Sequence, residues 1–79
     1  MNKLNNPNVW EAAALTHRNN FLKLFISNED KINSFEECLN KGMEGVIKGN
    51  NLKGIILLIS KGANINATDI IYQITKNHF

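Results

Sequence analysis

Gly54-Ile55-Ile56-Leu57-Leu58-Ile59-Ser60-Lys61-Gly62 is an apolar run that closes on a lysine and then a glycine. That order suits the last turn of a helix and the residue just beyond it. An earlier stretch, Phe21-Leu22-Lys23-Leu24-Phe25-Ile26-Ser27, falls on Gly54–Ser60 when it is moved forward by 33 residues. The same displacement carries Lys31-Ile32-Asn33-Ser34 onto Asn64-Ile65-Asn66-Ala67, Trp10 onto Met43, and Ala13-Ala14 onto Val46-Ile47. A fixed period of this size predicts stacked supersecondary units rather than one irregular core. Such stacks present surfaces more readily than they enclose catalytic pockets.

Working outward, each unit reads as a pair of helices. Asn6-Pro7 opens the first, since Asn accepts from free amides and Pro at the first helical position gives up no hydrogen bond. Val9, Trp10, Ala13 and Ala14 then recur at helical spacing. Thr16-His17-Arg18-Asn19-Asn20 breaks the pattern before Phe21, Leu22, Leu24, Phe25 and Ile26, and Ser27-Asn28-Glu29-Asp30 closes the second helix. Ser34-Phe35-Glu36-Glu37 fits a capping box and starts the third. Phe35, Cys38, Leu39, Met43, Val46 and Ile47 give that helix its apolar face. Gly42 and Gly45 each weaken it by roughly 1 kcal/mol relative to Ala, or else admit a neighbouring backbone. Gly49-Asn50-Asn51 makes a turn of residue types that tolerate positive φ. Leu52 to Ser60 is apolar nearly all round, which predicts a helix sandwiched between neighbours. A fifth helix, from about 69 to 77, carries Ile70, Ile71 and Ile74 on one side and a polar side suited to a terminal cap. No strand pattern appears. The expectation is an all-α single domain over 1–79, with units at about 7–33 and 34–66 and a terminal helix at 69–77.

The segment from Gly49 to Asp69 resembles the second half of an ankyrin repeat. A small polar turn precedes Leu52, an apolar helix follows, and Gly62-Ala63-Asn64-Ile65-Asn66-Ala67-Thr68-Asp69 matches that family's closing loop. The likeness covers about two-thirds of one unit of about 33 residues. In the first copy Ile32 and Asn33 keep the pattern, whereas Glu29-Asp30 replaces the Gly-Ala pair. The family's Thr-Pro-Leu-His entry reads Lys41-Gly42-Met43-Glu44 here, and Leu39 stands where its hairpin finger has Gly. The resemblance therefore implies ankyrin-like stacked helix hairpins with shortened or missing β-hairpin fingers, about five helices in all. It also implies a protein-binding groove along the first helices and the loops that lead into them. On this sequence the groove falls on Glu11 and Leu15 in the first unit. In the second it falls on Phe35, Glu37, Asn40, Lys41, Glu44 and Lys48, and in the third on Ile70, Gln73 and Lys76. Two units and a helix are few for such a stack, so its ends need a cap or a second chain. A homodimer is one way to supply the latter.

Composition narrows the classes further. The formal charge is only +2 and the lysines are scattered, which argues against a nucleic-acid stripe. Cys38, the only cysteine, has no internal partner for a disulfide, which favours a reducing compartment such as the cytosol. The polar start, Met1-Asn2-Lys3-Leu4-Asn5-Asn6, has no apolar signal segment, and Ile55–Ile59 is too short to span a bilayer. These features point to a cytoplasmic protein, with delivery into a host cell left open.

The chemistry-bearing residues are sparse. His17 and His78 have no Cys or His at zinc spacing, so no metal or other cofactor is expected. A Cys38–His17 pair has the residue types for nucleophilic catalysis, but Cys38 belongs to an apolar set, where an inert thiol is the usual outcome. Trp10 and Tyr72 suit either packing or an interface. The expectation is a non-catalytic module that adapts, sequesters or inhibits a partner protein. Glu and Lys alternating along the third helix would supply the matching charge. The alternatives are an inhibitor or immunity-type protein acting on one cognate enzyme, and a helix-turn-helix regulator pivoting on Gly49-Asn50-Asn51. The last is disfavoured because its recognition helix is Ile-Leu rich, with only Lys53 and Lys61 as charges.

Overall fold

A computed structural model describes residues 5–63, and these residues are all-helical with no strand among them. Four α-helices follow in order: α1 (Pro7–Leu15), α2 (Asn19–Ser27), α3 (Phe35–Lys48) and α4 (Leu52–Ser60). A single 3-10 turn, Glu29–Lys31, joins α2 to the segment before α3. The expected fifth helix at 69–77 lies outside the described residues.

Local chemistry explains most boundaries. Asn6 caps α1, its side chain accepting from the amide of Asn8, with Pro7 in the first turn. Asn51 caps α4 by accepting from the amide of Gly54. Gly62, at φ +87°, carries the chain out of α4 in the left-handed region where glycine costs least. The capping box at Ser34 does not form. Ser34 holds the N-cap position of α3 without a cap bond. Its Oγ instead donates to the carbonyl oxygen of Asn5 at 3.3 Å and lies 3.8 Å from Cys38 Sγ. Asn5 also accepts the amide of Asn33 at 2.9 Å through Oδ1. The tie to the N-terminal segment has displaced the local cap.

The turns inside the two helix pairs are built alike. His17 and Asn50 are the described non-glycine residues with positive φ, at 60° and 52°. Arg18 N donates to Ala13 O, and Asn51 N to Val46 O, both at 2.8 Å. His17 N reaches Ala14 O at 3.3 Å, and Asn50 N reaches Ile47 O at 3.2 Å. At the far ends, Ser27 Oγ donates to Leu24 O and Ser60 Oγ to Leu57 O. Each of these partners lies 33 residues from its counterpart.

The core runs between the pairs. Trp10 is wholly buried, its ring 5.4 Å from that of Phe25 and 5.7 Å from the edge-on ring of Phe35. Of the two roles open to Trp10, packing is the one it fills. Ala13, Ala14, Leu22, Cys38, Leu39, Met43, Val46, Ile55 and Leu58 complete the apolar centre. α1 packs chiefly on α3, and smaller contacts join α3 to α4, α1 to α2 and α2 to α4. α3 runs unbroken through Gly42 and Gly45 because both glycines are buried against neighbours. A Cβ on Gly45 would collide with the carbonyl oxygen of Glu11 and lie 2.8 Å from Ala14 Cβ. Close backbone approach therefore explains this glycine. The expected sandwiching of α4 is not seen: Ile55 and Leu58 are buried, but Ile56 is 69% exposed.

Candidate functional site

The junction between the pairs fixes the surface above it. Asn51 is 1% exposed and uses its whole amide. Its Oδ1 accepts from Gly54 N and from Asn19 Nδ2, at 3.0 and 3.1 Å. Its Nδ2 donates to Ala14 O and to Asn19 Oδ1, at 3.0 and 2.7 Å. With both lone pairs and both hydrogens engaged, this buried polar group carries no unsatisfied cost. Beside it, His17 Nε2 donates to Gly49 O at 2.6 Å, so the positive-φ turn of one pair is tied to the turn of the other. A polar clamp and a glycine contact thus hold α1 and α3 in one geometry.

On that frame the residues expected to bind a partner are distributed as follows. Glu11 on α1 and Lys48 on α3 meet at 3.2 Å across the two helices. Lys41 and Glu44, one turn apart on α3, pair at 3.5 Å. Glu37, Asn40, Glu44 and Lys48 are exposed, Lys41 is half-buried, and Leu15 is 45% exposed at the end of α1. Phe35 is half-buried, because its ring packs on Trp10, and offers only part of its surface. Ile70, Gln73 and Lys76 lie outside the described residues. Glu11, Lys41, Glu44 and Lys48 make two paired, screened ion contacts at the surface, which contribute little to stability.

Cys38 is fully buried. Desolvation pushes its thiol up from the usual value of 9.0, with the nearby charge of Glu37 adding to the rise and the Ser34 hydrogen bond opposing it. His17 is held at the pair junction. No three His, Cys, Asp or Glu side chains gather as a metal site among the described residues. No helix among them is long and apolar enough to cross a membrane.

A second surface was not singled out from the sequence. Between α1 and α2 runs an open groove of about 460 Å³, walled by Val9, Ala12, Phe21 and Leu24, with Thr16 and Arg18 at its edge. Its signal was present in α2, where Phe21 and Leu24 are apolar in addition to the buried set Leu22, Phe25 and Ile26. An apolar stripe wider than one face implies two covered sides. In the sequence these five residues mark only a thoroughly apolar second helix. Comparison with known proteins finds no family model, no curated protein and no solved structure that matches this chain.

Proposed function

We propose that this chain is a small, non-catalytic interaction module, made of ankyrin-like stacked helix hairpins without projecting fingers, that holds a partner protein on its α1/α3 face. The observation that carries the reading is the pairing of two like-built hairpins. Their turns share positive-φ positions and hydrogen bonds at a 33-residue spacing. Their first helices are locked side by side through Gly45 and Asn51. A frame of this kind pre-orders the side chains it displays, so a partner meets them at little conformational cost. The 3-10 turn at Glu29–Lys31, where a finger would project, favours a flat face over a loop-based site. The ankyrin likeness rests on the loop and turn residues of the chain itself.

Recognition on this reading is electrostatic and directional. Opening the Lys41–Glu44 and Glu11–Lys48 pairs presents both signs within a few turns, which sets register and partner choice more than raw affinity. Leu15 supplies an apolar point at one end of the face. The role is that of an adaptor, sequestering protein or inhibitor. Affinity capture on the immobilised chain tests it: one stoichiometric partner should appear, and should vanish when Lys41→Glu, Glu44→Lys and Lys48→Glu are combined. Capture unaffected by that triple change would remove the α1/α3 face from the account.

A further inference from the structure

We infer that the α1/α2 groove and a cationic cleft beside it form one docking surface for a short amphipathic peptide segment of a partner protein, apolar along one side and acidic at one end. This surface lies apart from the α1/α3 face and stands whether or not that face binds.

The two depressions share residues. Ala13 and Phe25 are buried at the base of the groove, while Phe21 and Leu24 on its wall are 47% and 52% exposed. Phe21 stacks on Phe25 with ring centroids 6.3 Å apart, so the apolar wall is fixed before any ligand arrives. Arg18 and Phe21 also line a second cleft, of about 620 Å³, which extends to Lys23 and to Lys53 in the first turn of α4. The amides of Phe21 and Leu22 donate to the Arg18 carbonyl at 3.0 and 3.3 Å, so the apolar and cationic parts keep one spacing. None of these residues belongs to the far end of α4, where the chain runs on past Ala63.

Charge gives the occupant its sign. Every acidic residue among the described ones lies on α1, on α3 or in the 3-10 turn, and none lines the cleft. Lys41 and Lys48 have carboxylate partners, whereas Arg18, Lys23 and Lys53 have none among the described residues. Cations scattered along the sequence are thus gathered by the fold around one depression. They repel one another there, and a carboxylate set between them offsets that repulsion. Complementarity of this kind selects an acidic group and fixes which way round the ligand lies.

Shape decides between a peptide and a small amphiphile. A site for a free small molecule encloses roughly 70–90% of its surface. This groove is open along its length. It is flanked by helices of 9 residues each. At a rise of 1.5 Å per residue that is about 13 Å, or roughly two to three turns of a helix. A peptide helix laid there puts its apolar side in the groove and keeps its polar side in water.

Selection from a displayed library of random peptides of about 12 residues, on the immobilised full chain, tests this. Enriched sequences should carry apolar residues three and four apart, with Asp or Glu toward one end. A synthetic peptide of the enriched sequence should bind at least about tenfold more weakly to Leu24→Glu, and to Lys23→Glu combined with Lys53→Glu. All three substitutions fall on exposed positions. Lys23→Arg combined with Lys53→Arg, which keeps the charge, should retain the binding. No enrichment, enrichment without acidic residues, or undiminished binding to either Glu variant would overturn the inference. So would dodecanoate binding more tightly than the peptide, which gives the site to a small amphiphile. A mass above one chain that falls in Leu24→Glu would give the groove to a second copy and overturn it too. The triple change at Lys41, Glu44 and Lys48 should leave peptide binding unaltered, so failure here and failure of partner capture are read separately.

Discussion

The α-carbon of Gly45 sits so close to the carbonyl oxygen of Glu11 that a methyl group there has no room. Both obstacles, the Glu11 carbonyl and Ala14 Cβ, belong to the α1 backbone or lie next to it and cannot rotate away. Gly45→Ala should therefore destabilise the chain by about 1–3 kcal/mol, although alanine is the better helix former by roughly 1 kcal/mol. Gly42→Ala is the control. The nearest atom to its added methyl is Leu58 Cδ1 at 3.0 Å, the end of a side chain that can shift. Urea unfolding of both variants should rank Gly42→Ala well above Gly45→Ala, and equal losses would mean that α1 and α3 are not packed this closely.

Asn51 joins a helix cap to the contact between pairs. Asn51→Ala removes the acceptor for Gly54 N and strips the buried Ala14 carbonyl and Asn19 amide of a partner. The expected loss is about 2–3 kcal/mol, of which the cap contributes about 1. Asn51→Ser, which keeps a capping oxygen but cannot reach across, should recover only that smaller part. Equal stability of the Ser variant and the parent would show that the bridge to Ala14 and Asn19 contributes nothing.

Burial of Cys38 gives a pH signature. Desolvation raises its folded-state value above the 9.0 of an open thiol, so the unfolded chain gives up this proton first. The stabilising contribution is complete below pH 9.0 and is lost as pH rises above it, through the folded value. Other groups titrate in this range, so the informative quantity is the difference between the parent and Cys38→Ala. The gap in unfolding free energy between them should narrow from pH 8 to pH 10. A gap independent of pH would mean that the thiol is as easily ionised in the folded chain as in the open one.

The helices were legible in the sequence because the features that build them are local. Asn6-Pro7, the Gly49-Asn50-Asn51 turn and Lys61-Gly62 mark boundaries by capping and φ preference alone. Ser34 misled for the opposite reason: its pattern is that of a local cap, but a residue 29 positions away in sequence, Asn5, takes the hydroxyl. The Glu and Lys residues of α3 could be placed on a surface from their spacing, whereas the ion pair of Glu11 with Lys48 depends on how two helices approach. The groove at Phe21 and Leu24 stayed hidden because apolar periodicity does not say which of two apolar sides is covered within the same chain.

The central claim is that the α1/α3 face binds a protein, and a binding titration of the captured partner against the parent and the Lys41→Glu, Glu44→Lys, Lys48→Glu chain tests it most directly. These side chains sit at the surface and their pairs contribute under about 1 kcal/mol, so the variant should unfold close to the parent. The account predicts that Kd weakens at least about tenfold, or roughly 1.4 kcal/mol. An unchanged Kd in a folded variant would contradict it.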